Sequence, residues 1–484
     1  MTTTNNLRTL LDLKTWEPCT PAPVTNAAAM FLIPSRWGWS PQQYVLYVTS
    51  ATVHYLYAPK EDAWAQIASG ALGGTFGVGA CGAWHPGGPT GTASAGTSTT
   101  ITTTLTTVRG VTGCVIRITG GTGAGQERTI STNTIGANSV FTVSSAWSVT
   151  PDNTSTYQIM SGRFYVFNAG TLSATSFKYY DVITAAWSAL SVTGLPASWG
   201  TDGKLVATFA KWGSTPGAGS LATGTATSAT STTLVNSGKS WATNQWASAQ
   251  VRITSGTGAG QVRTISSNTG TTLTVSSSWT VTPDATSVYA IDPNDDYLYL
   301  LGNGAVTLYR YSISGNTWST LSPGAARAGA PSAGFSAEFV DNESDPNWTN
   351  ESSVINGRRI YSFRSGAAST LDYYDIAANT WVSGVTYAQA AETFTNGTSY
   401  VYTDDRVVMQ KDATGRFFTY CPSSNSLEPF STLQYAQGAA TLGHKGFSVR
   451  YTDGATKLWW VYNLRNTGTE LFRALVIGDG DGAA

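Results

Sequence analysis

Side chains able to do chemistry are few and scattered along this chain. Three histidines, His54, His85 and His444, and four cysteines, Cys19, Cys81, Cys114 and Cys421, are the only imidazole and thiol groups. Only Cys81 and His85 lie close together, in Cys81-Gly-Ala-Trp-His85, and no CxxC occurs, so neither a zinc site nor a disulfide framework is expected. Asp341, Glu343 and Asp345 offer the oxygen ligands of Ca²⁺, but such a run reads better as a solvated loop. Gly120–Gly125 and Gly256–Gly260 have the glycine density of a phosphate-binding loop, yet an alternating β pattern follows each, so no helix N-terminus awaits a phosphate. Both read as hairpin turns. G-x-S-x-G, HExxH and the P-loop are missing from the sequence. The expectation is a protein with no catalytic residues, no cofactor and no metal, hence not an enzyme.

One polar set does repeat. Arg117, Gln126 and Arg128 recur as Arg252, Gln261 and Arg263, flanking the two Gly-rich turns. Arg and Gln on facing strands can hydrogen-bond each other or the carbonyls of their own loops. As exposed donors they can also contact a neighbouring subunit, the interaction role weighed for all six.

The elements that must position these groups are strands. Charged residues are 11%, against about a quarter in ordinary domains, while aromatic residues are 12% and glycine numbers 51. Such a chain lacks helix formers and is rich in what pleated surfaces and turns prefer. Net charge is −1, so no basic field exists to hold nucleic acid, and no apolar run approaches the length of a membrane span. The start of the chain has no apolar core of a secretory leader, so classical secretion is not expected.

A hairpin repeats along the chain, with a Tyr seven residues before a Trp: Tyr57 and Trp64, Tyr180 and Trp187, Tyr311 and Trp318, Tyr374 and Trp381. A fifth copy carries Leu427 in the Trp slot after Tyr420, and a sixth is read over Leu458–Tyr462 and Leu475–Ile477. Upstream lie an aromatic strand, such as Arg163–Phe167 or Tyr297–Leu301, and a small-residue strand, such as Gly74–Ala80 or Leu205–Phe209. Four antiparallel strands per unit make one propeller blade, with the Tyr and Trp packing between blades. Tyr180-Asp181 to Trp187-Ser188, Tyr311 to Asn316-Thr-Trp-Ser319 and Tyr374-Asp375 to Asn379-Thr-Trp381 resemble kelch repeats, although the usual di-glycine is reduced. The resemblance implies a kelch-like β-propeller of five or six blades. The His, Tyr and Cys set of a propeller-type copper radical oxidase and the repeated Asp-box of a sialidase are not visible in the sequence.

Residues 116–130 match 251–265 almost letter for letter, and Trp147-Ser-Val-Thr-Pro151-Asp152 matches Trp279-Thr-Val-Thr-Pro283-Asp284. Each copy reads as a small β-barrel or sandwich module inserted at the same place in a blade. The expected division is an N-terminal arm over 1–40, propeller over 41–89, a first module over 90–159, propeller over 160–218, a second module over 219–291, the remaining blades over 292–478 and a flexible tail over 479–484.

The module also resembles β-modules found repeatedly in virion proteins of tailed bacteriophages. That resemblance implies a non-enzymatic structural protein of the virion, assembled in the host cytoplasm, at the tail (nozzle, hub or fibre attachment) or on the head. Its partners would be other virion proteins and copies of itself in a symmetric assembly. The alternative partner is a host-surface glycan, bound by an adhesin through exposed tryptophans such as Trp37, Trp39, Trp84 or Trp348. A propeller-type glycan hydrolase or oxidase is the second alternative.

Overall fold

A computed structural model describes most of residues 17–477, and continuously 80–168; residues 1–16, 24–29, 33–43, 68–75, 209–221, 331–334, 341–358, 364–369, 387–399, 411–415, 433–445 and 478–484 and a few shorter gaps lie outside the described residues. His444, Trp37, Trp39, Trp348 and the Asp341 cluster fall in those segments. Every element among the described residues is a strand, so no helix there could cross a membrane.

Six four-stranded antiparallel sheets account for most of the chain. Their first strands are Met30–Leu32, Cys81–His85, Gly203–Ala207, Ser336–Val340, Tyr400–Tyr402 and Gly446–Asp453, and each of these strands lies beside two others, so that together they close a ring. This is the arrangement of a β-propeller. Apolar clusters fill the spaces between successive sheets. Phe177, Tyr311 and Trp318 pack between the second and third, for example, and Phe363, Met409 and Tyr420 between the fourth and fifth.

The ring is shut by the beginning of the chain. Glu17–Pro18 pairs with Phe472 and Arg473 as the outermost strand of the sixth sheet, and Cys19, Ala22, Tyr47 and Tyr57 pack against Tyr462, Leu464 and Leu471. Pro18, with no N–H to offer, suits an outer edge. This corrects two expectations. The segment read as an N-terminal arm supplies two strands, Glu17–Pro18 and Met30–Leu32, and the sixth unit draws its fourth strand from the far end of the sequence. Tyr462 therefore lies on the second strand of its sheet, Thr456–Leu464, and not on a Tyr strand. The second sheet begins at Cys81–His85; of Gly74–Ala80, the run read as a small-residue strand, all but Phe76 and Ala80 lie outside the described residues.

The Tyr and Trp of each hairpin meet, with ring centroids 4.6 Å apart for Tyr57 and Trp64, 5.1 Å for Tyr180 and Trp187, 5.1 Å for Tyr311 and Trp318, and 5.5 Å for Tyr374 and Trp381. Such aromatic pairs each contribute about 0.5–1.5 kcal/mol beyond the area they bury. Five residues after the Tyr the backbone turns left-handed, at Asp62 (φ 48°), Asn316 (φ 48°), Asn379 (φ 48°) and Asn425 (φ 50°). Asp and Asn tolerate that region and bring an oxygen to it. The Tyr hydroxyl donates to that oxygen at 2.5 Å in Asp62, 2.7 Å in Asn316 and Asn379, and 3.0 Å in Asn425.

The same turn latches the preceding sheet. Ser191 N–H donates to Asn316 Oδ1 (2.9 Å) while Trp318 Nε1 donates to Ser191 O (3.0 Å). Asn379 and Asn425 donate through Nδ2 to Ser322 O and Thr386 O. Asp62 and Trp64 grip Thr20 in the same way, two residues past the closing strand. Ala185 stands in this position in the second sheet, also left-handed (φ 51°), and leaves the buried Tyr180 hydroxyl with no hydrogen-bond partner among the described residues.

After Cys81–His85 the chain leaves the second sheet, builds a closed six-stranded barrel from Thr90–Gly96 to Thr156–Ile159, and returns to pair Arg163–Phe167 with Cys81–His85. Between Gly203–Ala207 and Tyr297–Gly302 of the third sheet it builds a second unit, Ala222–Thr225 to Val288–Asp292. Here Ala222–Thr225 and Ser228–Thr230 divide between them the place of the long first strand, so a seven-stranded sheet follows the strand path of the closed barrel and forms an open barrel on the same plan. Period-2 alternation puts Ile116, Ile118, Ile130, Phe141, Trp147 and Tyr157 inside the first, and Val251, Ile253, Ile265, Leu273, Trp279 and Tyr289 at the matching places in the second.

Candidate functional site

The Gly-rich turns lie where the two barrels meet. Gly125 (φ 87°) and Gly260 (φ 88°) are left-handed and pressed against the opposite barrel. A Cβ on Gly125 would come 2.4 Å from Thr254 O, and one on Gly260 would come 3.0 Å from Thr119 O and 2.7 Å from Ala124 Cβ. Gly125 is the counterpart of Gly260, and Thr119 of Thr254. The contact is thus reciprocal, as in a two-fold dimer, with glycine required by both backbone angle and space.

Beneath the turns, four charged side chains form a buried network. Arg117 Nε donates to Glu127 Oε1 within the first barrel, and Arg252 Nε donates to Asp292 Oδ2 (2.9 Å) within the second. Arg252 Nη1 lies 3.4 Å from Glu127 Oε1 and joins the two barrels. Burial pushes the Arg117 guanidinium down from its usual value, Arg252 adds to this, and Glu127 and Asp292 pull it back. Burial acts likewise on Arg252, but Asp292 and Glu127 outweigh it and raise that guanidinium. Both stay charged at neutral pH, since arginine starts so high.

The acids of this network were not legible from the repeat. The two Arg are repeat residues, but Glu127 faces Val262 in the alignment of the copies, and Asp292 faces Met160. The signal was available as the places where two nearly identical copies differ in charge.

The other repeated polar residues are engaged inside their own barrels. Gln126 Nε2 donates to Gly123 O (3.0 Å) and Val149 O (2.8 Å), and its Oε1 accepts from Ser148 N–H (2.7 Å); Gln261 does the same with Gly258, Val281 and Thr280. Arg128 donates to Ala146 O, Glu127 O and Ser148 Oγ and lies over Trp147; Arg263 donates to Ser278 O, Val262 O and Thr280 Oγ1 and lies over Trp279. Of the two roles weighed for this set, the internal one is what the geometry displays.

Remaining candidates sit apart from the barrel contact. His54 is buried against Phe76 and Trp187, and His85 is buried near Tyr165 with Nδ1 accepting Gly87 N–H (3.1 Å). Burial pushes the Cys114 thiol up to about 12, and burial together with Asp62 does the same for Cys19. Neither is a thiolate at neutral pH. Among the described residues no group of three or more His, Cys, Asp or Glu is placed to hold a metal ion. Trp84, offered to a sugar only on the glycan alternative, is buried against the ring, and its indole fills the space beside Gly162.

On one side of the barrel contact opens a cleft of about 860 Å³. The first barrel lines it with residues around its Gly-rich turn and with Ser144, Ser145 and Ser148; the second adds Thr223, Arg252, Ser255 and Tyr289.

No family model matches the sequence, and no curated protein matches it. Among solved structures the chain is similar to a fucose-specific lectin from Aleuria aurantia (10% identity, 95% of this chain and 96% of that one, TM-score 0.38). It is also similar to a streptogramin B lyase (7% identity, 96% and 98%, TM-score 0.33). Neither likeness carries a ligand or an activity to this chain.

Proposed function

We propose that the chain is a non-enzymatic structural subunit of a tailed-bacteriophage virion, a six-bladed propeller carrying two inserted barrels that act as one rigid body. Each of the six four-stranded sheets is then one blade, and the N-terminal strand locks the last blade to the first. The observation that carries the reading is the joint between the barrels. A buried network and reciprocal glycine contacts tie the two repeats to each other, and their remaining repeated polar side chains brace their own turns. Residues so committed hold shape, which is what an assembling subunit must supply to its neighbours. The protonated buried thiols of Cys19 and Cys114 and the packed imidazoles of His54 and His85 support the non-enzymatic part.

On this reading the subunit assembles in the host cytoplasm and meets other virion proteins and further copies of itself. Mass spectrometry and cryo-electron microscopy of purified particles from its source test the idea. A fixed copy number at a symmetric position, in the tail or on the head, is expected. Particles lacking the chain, or turnover of a polysaccharide by the isolated protein, would overturn it. The glycan-binding alternative draws its support from the cleft between the barrels.

A further inference from the structure

We infer that the cleft between the two barrels is a binding site for an acidic saccharide, with the Arg252 guanidinium as the seat of its carboxylate. This inference stands on the cleft alone and does not rest on the virion reading.

Three observations converge. First, Arg252 lines the cleft with its side chain only 3% exposed, yet its Nη2 has no hydrogen-bond partner among the described residues, while Nε and Nη1 face Asp292 and Glu127. A buried donor left unmatched calls for an acceptor from outside. A carboxylate oxygen is the strongest acceptor for a guanidinium.

Second, the charges around the cleft do not cancel. Arg117 and Arg252 are matched by Glu127 and Asp292, while Arg128, also in the lining, bonds only carbonyl and hydroxyl oxygens, which leaves one positive charge in a chain whose net charge is −1. One anionic group would complete the set.

Third, the walls are hydroxyls. Ser144, Ser145, Thr223 and Ser255 line the opening, and all four are exposed. With the Gly-rich backbone between them they offer alternating donors and acceptors to a polyhydroxylated ligand, and the volume of about 860 Å³ falls within the range of small-molecule sites. The large aromatic rings nearby, Trp147 and Tyr289, are buried in the barrels, so recognition would run through hydrogen bonds and the single charge rather than stacking.

The test is titration calorimetry of the full chain with hyaluronan fragments, oligogalacturonate and sialyl-lactose, each against a neutral counterpart of equal length (chitin fragments, cello-oligosaccharide, lactose). At least one acidic probe should bind at least tenfold more tightly than its neutral counterpart. Arg252→Lys should weaken that binding at least tenfold. Because Arg252→Lys also disturbs the network, Ser144→Trp and Thr223→Trp serve as wall variants. Each should abolish binding while leaving thermal unfolding unchanged. Overturning results are no binding of any acidic probe, equal binding of acidic and neutral partners, binding untouched by the wall variants, or capture of a C-terminal carboxylate peptide in place of the sugars.

Discussion

The two barrels are the same repeat put to different uses. The first is seated on the ring. Its Val115 and Met160 join the apolar cluster of the sheets, Ile183 from the second sheet's hairpin enters the barrel's own core, and Val108 N–H donates to Ile183 O (2.7 Å). The second barrel has Gln250 and Asp292 where the first has Val115 and Met160, and its core cluster is entirely its own. Trp241 and Trp246, absent from the shorter matching loop of the first copy, pack edge to face inside it. The difference teaches that a repeat fixes the fold of a unit but not its footing. A few substitutions at one end decide whether it rests on apolar sheet or on a charged neighbour.

Removing the separate fillers gives the largest expected effect. Trp246→Ala should cost the second barrel about 3–5 kcal/mol, and Ile183→Ala should cost the first about 2–5 kcal/mol. Hydrogen exchange followed by mass spectrometry locates each loss, since local opening reports local stability. Trp246→Ala should expose 249–292 and spare 90–159, and Ile183→Ala the reverse. Equal losses in both barrels from either variant would break the comparison. Next is the joint. Glu127→Val copies the second barrel's Val262 into the first and strips Arg117 and Arg252 of a shared acceptor. The expected loss is about 2–3 kcal/mol, read as a lower urea midpoint with exchange rising in both barrels together. A neutral outcome would mean that the barrels are held by the glycine turns alone.

What was legible in the sequence follows from range. The hairpins were legible because Tyr, turn and Trp lie within eight residues, and so were the barrels, because one copy announces the other. The N-terminal closure was not, since Glu17–Pro18 carries no pattern of its own and finds Arg473 only through the finished ring. In the candidate site the glycines were read as turns, which they are. Their second use, close approach to another barrel, depends on how two distant segments dock. Trp84 shows the same limit in reverse: offered as an exposed tryptophan for a glycan, it is buried by contacts that only the finished sheet supplies.

The hairpin that feeds Ile183 into the first barrel is also the one whose latch is missing. Ala185 takes the left-handed turn with no side-chain oxygen to offer, and the Tyr180 hydroxyl has no partner among the described residues. Ala185→Asn should restore the pattern of Asn316 and Asn379. The expected gain is about 1 kcal/mol, from a better left-handed residue and one hydrogen bond. It should appear as a higher urea midpoint, with exchange in the first barrel unaltered. A loss of protection over 90–159 would mean that the turn is shaped for the barrel rather than the ring.

The smallest effect separates the barrels by pH. Asp152 and Asp284 close matching turns, each accepting from the side chain and N–H of the Thr two residues on, Thr154 and Thr286, at 2.6 and 2.8 Å. Those bonds, the hydroxyl's first, hold both carboxyls below the usual aspartate value of 3.8. A depressed acid lends its stability above the unfolded value and withdraws it as pH falls through the folded one, so both turns should hold at pH 5 and loosen only below about 3.8. A second hydroxyl lowers each carboxyl further: Thr257 Oγ1 donates to Asp284 Oδ2 (2.8 Å) and acts on it more strongly than the Thr286 N–H, whereas Thr122 acts on Asp152 less strongly than the Thr154 N–H. Asp152 should therefore protonate first as acid is added, and carboxyl-carbon NMR titration of the two side chains measures the order. Coincident titrations would show that the two turns are equivalent in chemistry as well as in sequence, and Asp284 titrating at the higher pH would show that Thr257 gives its charged form no advantage.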